Sequence, residues 1–345
     1  MANVGDTLPH CTGTGTQADP YKFDSATGFL EAIDVEGAYV EAKNSSMSFD
    51  CNDGVITTPI AFKCLDFDGK GLTIVNAVVN NTNSAIMIVT GAGVWAWSES
   101  TIQTIANFNI YNCAIVVQNL QMCLVSCGFE SGDGYKVVKF LNCNFAGVCY
   151  GYPDATSAAH NGTSFIGWCR DNRYMNWTQY RFENCTINFN LSEPSSGHSS
   201  NYFNFHAYHN GDFGASFVYL KNTTLCLSGD VSYNIWIGNT VMNNATVMSP
   251  KDKSANKLKC NGYSEEVGQN SFLSGANYHK MYVETIGNLT VSDSQGLINS
   301  DRYTATGTKS LSGIVMQEHD STASDYIYDE NNLANAGFFV GQVIE

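Results

Sequence analysis

The stretch FENCTINFN, residues 182–190, sets an Asn-Cys pair behind an aromatic residue and ahead of apolar residues at alternate places. The arrangement recurs as FLNCNF (140–145) and IYNCAI (110–115), and as YLKNTTLCL (219–227) with Thr223 in the cysteine's place. Alternation does not run cleanly through the pair. In VVKFLNCNF, Val138, Phe140 and Asn142 share one parity and Lys139, Leu141 and Cys143 the other, with apolar residues on both sides of the Asn. A half-buried strand keeps strict alternation. Two short strands joined by a one-residue corner at the Asn do not. Asn suits that corner, because it tolerates the left-handed region and its amide can bond a neighbour of its own kind. Stacked corners would build an amide ladder outside, with small Cys and Thr side chains piled up inside. That is the pattern of a parallel β-helix, whose units cannot bury an inner face alone. Asn112, Asn142, Asn184 and Asn222 lie 30, 42 and 38 residues apart. Solenoid repeats run to about 20–30 residues, so some coils carry inserted loops or others lie between.

Composition agrees. Only 14% of the 345 residues are charged, against about a quarter in ordinary domains. The surface must be made of Asn, Ser, Thr and Gly, which are poor helix formers. A formal charge of −15 argues against a nucleic-acid groove and an anionic membrane surface, and repels polyanions unless a basic pocket intervenes. The opening MANVGDTLPH has no basic or apolar leader, and SAIMIVTGAGVWAW (84–97) is too short and Gly-broken to span a bilayer. Twelve cysteines without a C-x-x-C pair read as small buried hydrophobes in a chain folded in a reducing cytoplasm. The N-x-S/T sequons at Asn161, Asn176, Asn184 and Asn288 are expected by chance in such a chain.

Residues 1–50 read as an N-terminal cap or attachment segment, 51–300 as coils with long inserted loops at about 150–215, and 301–345 as a C-terminal tail element. In the first segment Asp24 or Ser25 can cap a helix whose Phe29, Leu30 and Ile33 form an apolar stripe. A solenoid needs its open end covered. The Asp68-Gly69-Lys70-Gly71 run has no Walker spacing and reads as a turn with positive-φ glycines. The expected fold is all-β: a single-stranded right-handed parallel β-helix with an N-terminal capping helix and a short C-terminal element.

GTGTQADPYKFDSATGFLEAI (13–33), FDGKGLTIVN (67–76), the successive FxNC coils and the closing NNLANAGFFVGQVI resemble bacteriophage pectate-lyase-like parallel β-helix proteins. The resemblance covers most of the chain. It implies a virion surface protein made in the host cytoplasm: a head or tail fibre or a spike, bound to other virion proteins and presenting loops to host surface polysaccharide. It also implies a homo-oligomer, a trimer by analogy. The alternative it implies is a tailspike-like polysaccharide depolymerase, hydrolase or lyase. It supplies no catalytic set and no cofactor.

Binding groups concentrate on loops carried by a rigid scaffold, and 150–215 departs most from the repeat. Trp168 and Trp177 flank the polar CRDNRYMN, and with Tyr174, Arg170, Arg173 and Tyr208 they are the candidate sugar contacts. Aromatics equally pack beneath loops. Glycoside hydrolysis needs two carboxyl groups; Asp171, Asp154 and Asp212 are the enzyme candidates, with Asp133 and Glu183 nearby, and no two of them are adjacent. The polygalacturonase signatures are missing, with SGHS (196–199) a partial echo. His206, His209 and Asp212 stand three apart and would share a helix face fit for a metal, but the surrounding residues read as strand and turn.

Overall fold

The computed structural model describes residues 2–79, 85–90, 92–94, 102–116, 123–127, 135–150, 163–166, 178–192, 201–206, 216–228, 233–237, 240–243, 246–248, 257–260, 281–286, 290–292 and 315–317. Side chains are defined through 2–79, 85–90, 102–115, 124–125, 137–149, 180–190 and 220–225. The fold is mostly β: a large sheet of 19 strands, nearly all parallel, and a second sheet of 7.

The chain visits three rows of strands in a fixed order. A leading row includes Tyr39–Ala42, Tyr135–Leu141, Thr178–Glu183, Ser216–Lys221 and Met281–Ile286. A trailing row follows after a short corner, with Ser48–Asp50, Asn144–Tyr150, Thr186–Ser192, Thr224–Ser228 and Thr290–Ser292. Strands Asp66–Val75 and Gln103–Val116 run through the corner and belong to both. The smaller sheet is a third row, from Ile60–Phe62 through Ala85–Val89 to Lys257–Cys260. Parallel pairing begins already where Tyr21–Phe23 meets Tyr39–Ala42.

Register sets like residues on like. Val40, Phe67, Ile105, Phe140, Phe182 and Leu220 form one inward line of the leading row, and those six are between 0% and 2% exposed. The Phe140 and Phe182 rings stack with centroids 4.8 Å apart and an 11° interplanar angle. Each fully buried ring contributes about 1.5–3 kcal/mol from the apolar area it removes from water. In the trailing row Ile74, Ile110, Phe145, Ile187 and Leu225 form the matching line. In the third row Met87 and Val125 are buried, and so are their opposite-parity neighbours Ile86 and Leu124, while the paired Ala61 and Ile88 are half-buried.

At the N-terminal end, helix Ala26–Ile33 starts at Ser25, whose hydroxyl accepts from the Gly28 N–H at 3.1 Å. Asp24 instead pairs with Lys43 at 2.8 Å. Phe29 and Ile33 are buried and Leu30 half-buried, as the apolar stripe requires. Phe29 meets Phe62 and Phe67 edge-on at 6.0 and 5.7 Å, so the helix lies over the first strands of the rows. The tail is described only at Val315–Gln317, antiparallel to Met281–Ile286.

Two expectations are corrected. Asn112 is not a rung of the ladder through Asn142, because the register places Ala106 on Leu141 and Asn109 on Asn144, leaving Asn107 opposite the corner. Asn112 sits at a bulge in the trailing row, where the register shifts between Ile110 and Cys113. Second, Gly69 does not have positive φ; Lys70 (φ 47°) and Gly71 (φ 87°) do. A Cβ on Gly69 would lie 2.7 Å from the Asn107 carbonyl oxygen, so close approach is what demands glycine there.

Candidate functional site

The corner motif of FENCTINFN builds the most extended polar constellation among the described residues. Asn107, Asn142, Asn184 and Asn222 all take φ between 49° and 54°. Their side-chain amides donate in one direction: Asn222 to Asn184 at 3.2 Å, Asn184 to Asn142 at 3.3 Å, and Asn142 to Asn107 at 3.1 Å. The sequence separations of those bonds, 38, 42 and 35, are the lengths of successive passes. The ladder ends on a carboxylate, since Asn107 donates to Asp68 at 2.8 Å while Asp68 also accepts from the Lys70 N–H at 2.9 Å. A shorter ladder repeats the device: Asn112 donates to Asn76, and Asn76 to Asp50 at 2.8 Å, which also accepts from the Asn52 N–H. An aspartate that has lost its donor side is the natural terminus of a line of amides, because it only accepts.

Inside the corner the small residues explain their own interchange. Cys143 Sγ lies 3.4 Å from the Leu141 carbonyl and 3.3 Å from that of Ile105. Cys185 Sγ likewise faces Glu183 and Phe140, and Thr223 Oγ1 faces Lys221 at 3.0 Å and Phe182 at 2.8 Å. Each is a compact donor aimed at a carbonyl two residues back and one from the preceding pass. Thiol or hydroxyl serves in these three passes, while Phe108 takes the same place after Asn107. Burial pushes the Cys143 thiol well up, helped by its neighbour Cys185, and raises Cys113 to about 12. The half-buried Cys11 and Cys51 rise to about 11, again mainly through burial. A nucleophilic or metal-binding cysteine needs its thiolate, and these environments disfavour it. All seven cysteines of defined placement are free.

The candidate sugar contacts Trp168, Trp177, Tyr174, Arg170, Arg173 and Tyr208 lie outside the described residues, as do Asp154, Asp171, Asp212, Asp133 and His209. His206 is the last residue of strand Asn201–His206, at the register position of Ile166, Val125, Met87 and Ile60. Its backbone is strand, so the one-faced helical spacing behind the metal reading of His206, His209 and Asp212 does not hold at that residue. Among the described residues no group of three His, Cys, Asp or Glu could hold a metal ion, and no helix is long and apolar enough to cross a membrane.

What the described residues supply is the base of those segments. Residues 167–177 run directly into strand Thr178–Glu183, and 207–215 precede Ser216–Lys221. There most outward positions of the leading row with defined side chains are charged, though Leu141 is not. Lys139 reaches Glu183 at 3.3 Å, Lys221 is the register partner of Glu183, and Arg181 that of Lys139. Arg181 is only 2% exposed although it occupies an outward position. Composition and spacing left this cluster unread except for Glu183; its signal was the charge three residues before the corner Asn in KFLNC and RFENC and one residue before it in FENC and LKNT. Nearer the N-terminus, Glu41 bridges Lys22 at 3.2 Å and Lys70 at 3.3 Å. Asp66 and Asp68 share the outer face of one strand, and burial followed by the Asp68 charge raises the Asp66 carboxyl. That pair has the residue types of a glycosidase site, but the Asp68 carboxylate is engaged by the corner and the ladder.

No family model matches the chain, and no curated protein or solved structure matches it.

Proposed function

We propose that the three rows close into one right-handed parallel β-helix, and that the chain is a virion fibre or spike presenting loops to host surface glycans. The observation that carries the reading is the Asn107–Asn142–Asn184–Asn222 ladder together with its register, pass upon pass. Stacked passes of this kind make a stiff elongated body whose loops project sideways. Parallel crossovers within one sheet are right-handed in about 98% of cases, which supports that hand. The resemblance of the coil motif and closing segment to phage β-helix proteins supplies the biological setting: the virion surface, contact with other virion proteins, and a homo-oligomer, trimeric by analogy. The aromatic-rich segments 167–177 and 207–215, between the strands, supply the glycan contact, with Trp168 and Trp177 foremost and Tyr174, Arg170, Arg173 and Tyr208 beside them.

The test incubates the purified protein with capsular and cell-wall polysaccharides of candidate hosts. Polymer size, new reducing ends and unsaturated-product absorbance are followed. Glycan retained without cleavage, and lost in Trp168→Ala with Trp177→Ala, is the expected result. Depolymerisation abolished by Asp171→Asn or Asp154→Asn would make the protein a depolymerase and overturn the fibre-only reading. Neither retention nor cleavage would assign the loops to other virion proteins.

A further inference from the structure

The charge of the leading row changes sign along the stack. Over the whole chain 32 Asp and Glu outnumber 17 Lys and Arg. The first passes keep that acidic character on their outer face, with Asp66, Asp68 and a Glu41 that Lys22 and Lys70 bridge. Asp66 lies beside Thr104 of the next pass and Asp68 beside Ala106, in a strand, Gln103–Val116, that holds no charged residue. Beyond it the balance reverses. Strands Tyr135–Leu141, Thr178–Glu183 and Ser216–Lys221 hold Lys136, Lys139, Arg181 and Lys221 against one carboxylate, Glu183. Register gathers four of these five into a patch: Arg181 lies beside Lys139, and Lys221 beside Glu183. Glu183 takes the Lys139 ammonium at 3.3 Å.

We propose that the patch of Lys139, Arg181 and Lys221 around Glu183 is an anion subsite, taking a carboxylate or phosphate carried by the surface glycan. The inference rests on the glycan reading and narrows it to acidic polymers. A chain of formal charge −15 repels a polyanion over most of its surface, so a local reversal of sign is where one can settle. Lys139 keeps 26% of its side chain exposed, and Lys221 is half-buried. Both stay within reach of a ligand, while their partial burial weakens screening by solvent and salt. Arg181, buried at an outward position, adds its charge from within the face. Glu183 stands among the cations and competes with an arriving anion for Lys139. On the N-terminal side the uncharged pass and then Asp66 and Asp68 bound the patch, and their charge keeps an anion from shifting that way. The candidate glycan segment 167–177 runs into Thr178, three residues before Arg181. That is roughly 10 Å of strand, so one polymer can meet both.

Binding of the full chain to immobilised polymers tests it. The probes are polyglucuronate, its carboxyl-reduced form and poly(glycerol phosphate). At least one acidic polymer should bind, the tighter of the two naming the source of the anion. Carboxyl-reduced polyglucuronate should bind about tenfold more weakly than the tighter one, or less. Lys139→Gln and Lys221→Gln should each weaken binding by about tenfold, the effect of losing a hydrogen bond to a charged group. Glu183→Gln should strengthen it severalfold, a gain that a purely structural salt bridge does not give. Circular dichroism and the thermal midpoint confirm folding of each variant. If Glu183→Gln fails to fold, the two lysine variants carry the test. Failure of both acidic polymers to bind, equal binding of the reduced polymer, or binding unchanged in Lys139→Gln and Lys221→Gln overturns the proposal. The two readings fail apart. A neutral host glycan retained while both acidic polymers wash through removes the subsite and leaves the glycan reading. Acidic polymer held at the lysines, with no host glycan retained, supports the subsite and removes the glycan reading.

Discussion

At the scale of single residues, the corner asks two separate things of its Asn, a left-handed backbone and an amide that donates and accepts along the stack. Substitutions at Asn142 separate them. Asn142→Gly keeps φ near 54° but loses the bonds to Asn107 and Asn184, a loss of about 1 kcal/mol because solvent replaces exposed partners. Asn142→Leu adds backbone strain of about 1–2 kcal/mol. The denaturant midpoint should fall in the order wild type, Gly, Leu; equal midpoints for Gly and Leu would mean that the backbone imposes nothing. Gly147 makes a different demand. A Cβ there would fall on the carbonyl oxygen of Cys113 and 2.7 Å from its Sγ, and Cys113 is buried. Gly147→Ala should therefore destabilise by about 1–3 kcal/mol through overpacking, read by the same denaturation.

At the scale of elements, helix Ala26–Ile33 is short and owes its place to both its cap and its buried stripe. An eight-residue helix is marginal alone, so the Ser25 bond to the Gly28 N–H matters more than it would in a long helix. Ser25→Ala should lower stability by about 1 kcal/mol. The loss should show first as faster amide exchange in residues 26–33, since a cap failure frays the element before the rows open. Uniform exchange over the whole chain would instead tie the helix into the global unit. Gln103 joins rows in a comparable way. It is buried, and its Nε2 donates to the carbonyls of Phe62 and Cys64 at 2.9 and 2.8 Å, linking the third row to the next leading strand.

At the scale of the whole molecule, charge and acid response follow from where the carboxylates sit. The Asn76 amide, then the Asn52 N–H, hold the Asp50 carboxyl below its usual value. Lys43 does the same for Asp24. A group with a depressed folded pKa adds stability above its unfolded pKa, about 3.9 for Asp, and that stability is lost as pH falls through the folded value. Asp66 runs the other way: its raised carboxyl opposes folding while ionised, and protonation relieves it. Acid titration of the urea midpoint should show Asp66→Asn more stable than wild type near neutrality, the difference closing as pH falls. Asp50→Asn should be less stable near neutrality, with a shallower loss below about pH 4. Parallel curves for wild type and Asp50→Asn would remove the ladder terminus from the acid response.

Much of this was legible in the residues. The parity slip at FLNCNF and FENCTINFN needs only strand alternation and the tolerance of Asn for positive φ, and Cys143, Cys185 and Thr223 were readable as an inner pile because each follows a corner Asn. The Ser25 cap and the Phe29–Ile33 stripe are equally local. Register is not local. Asn107 was hidden behind Phe108, which fills the place of the small residue, while Asn112 imitates the motif at a bulge; only the pairing of Asn109 with Asn144 separates them. Pass lengths of 35 to 42 residues were likewise set by where strands pair, not by any signal in the connecting segments. The clustering of Lys139, Arg181, Glu183 and Lys221 on one row came from the same source. A sequence records which residues alternate, whereas a face is made by residues some forty positions apart that pairing alone brings into line.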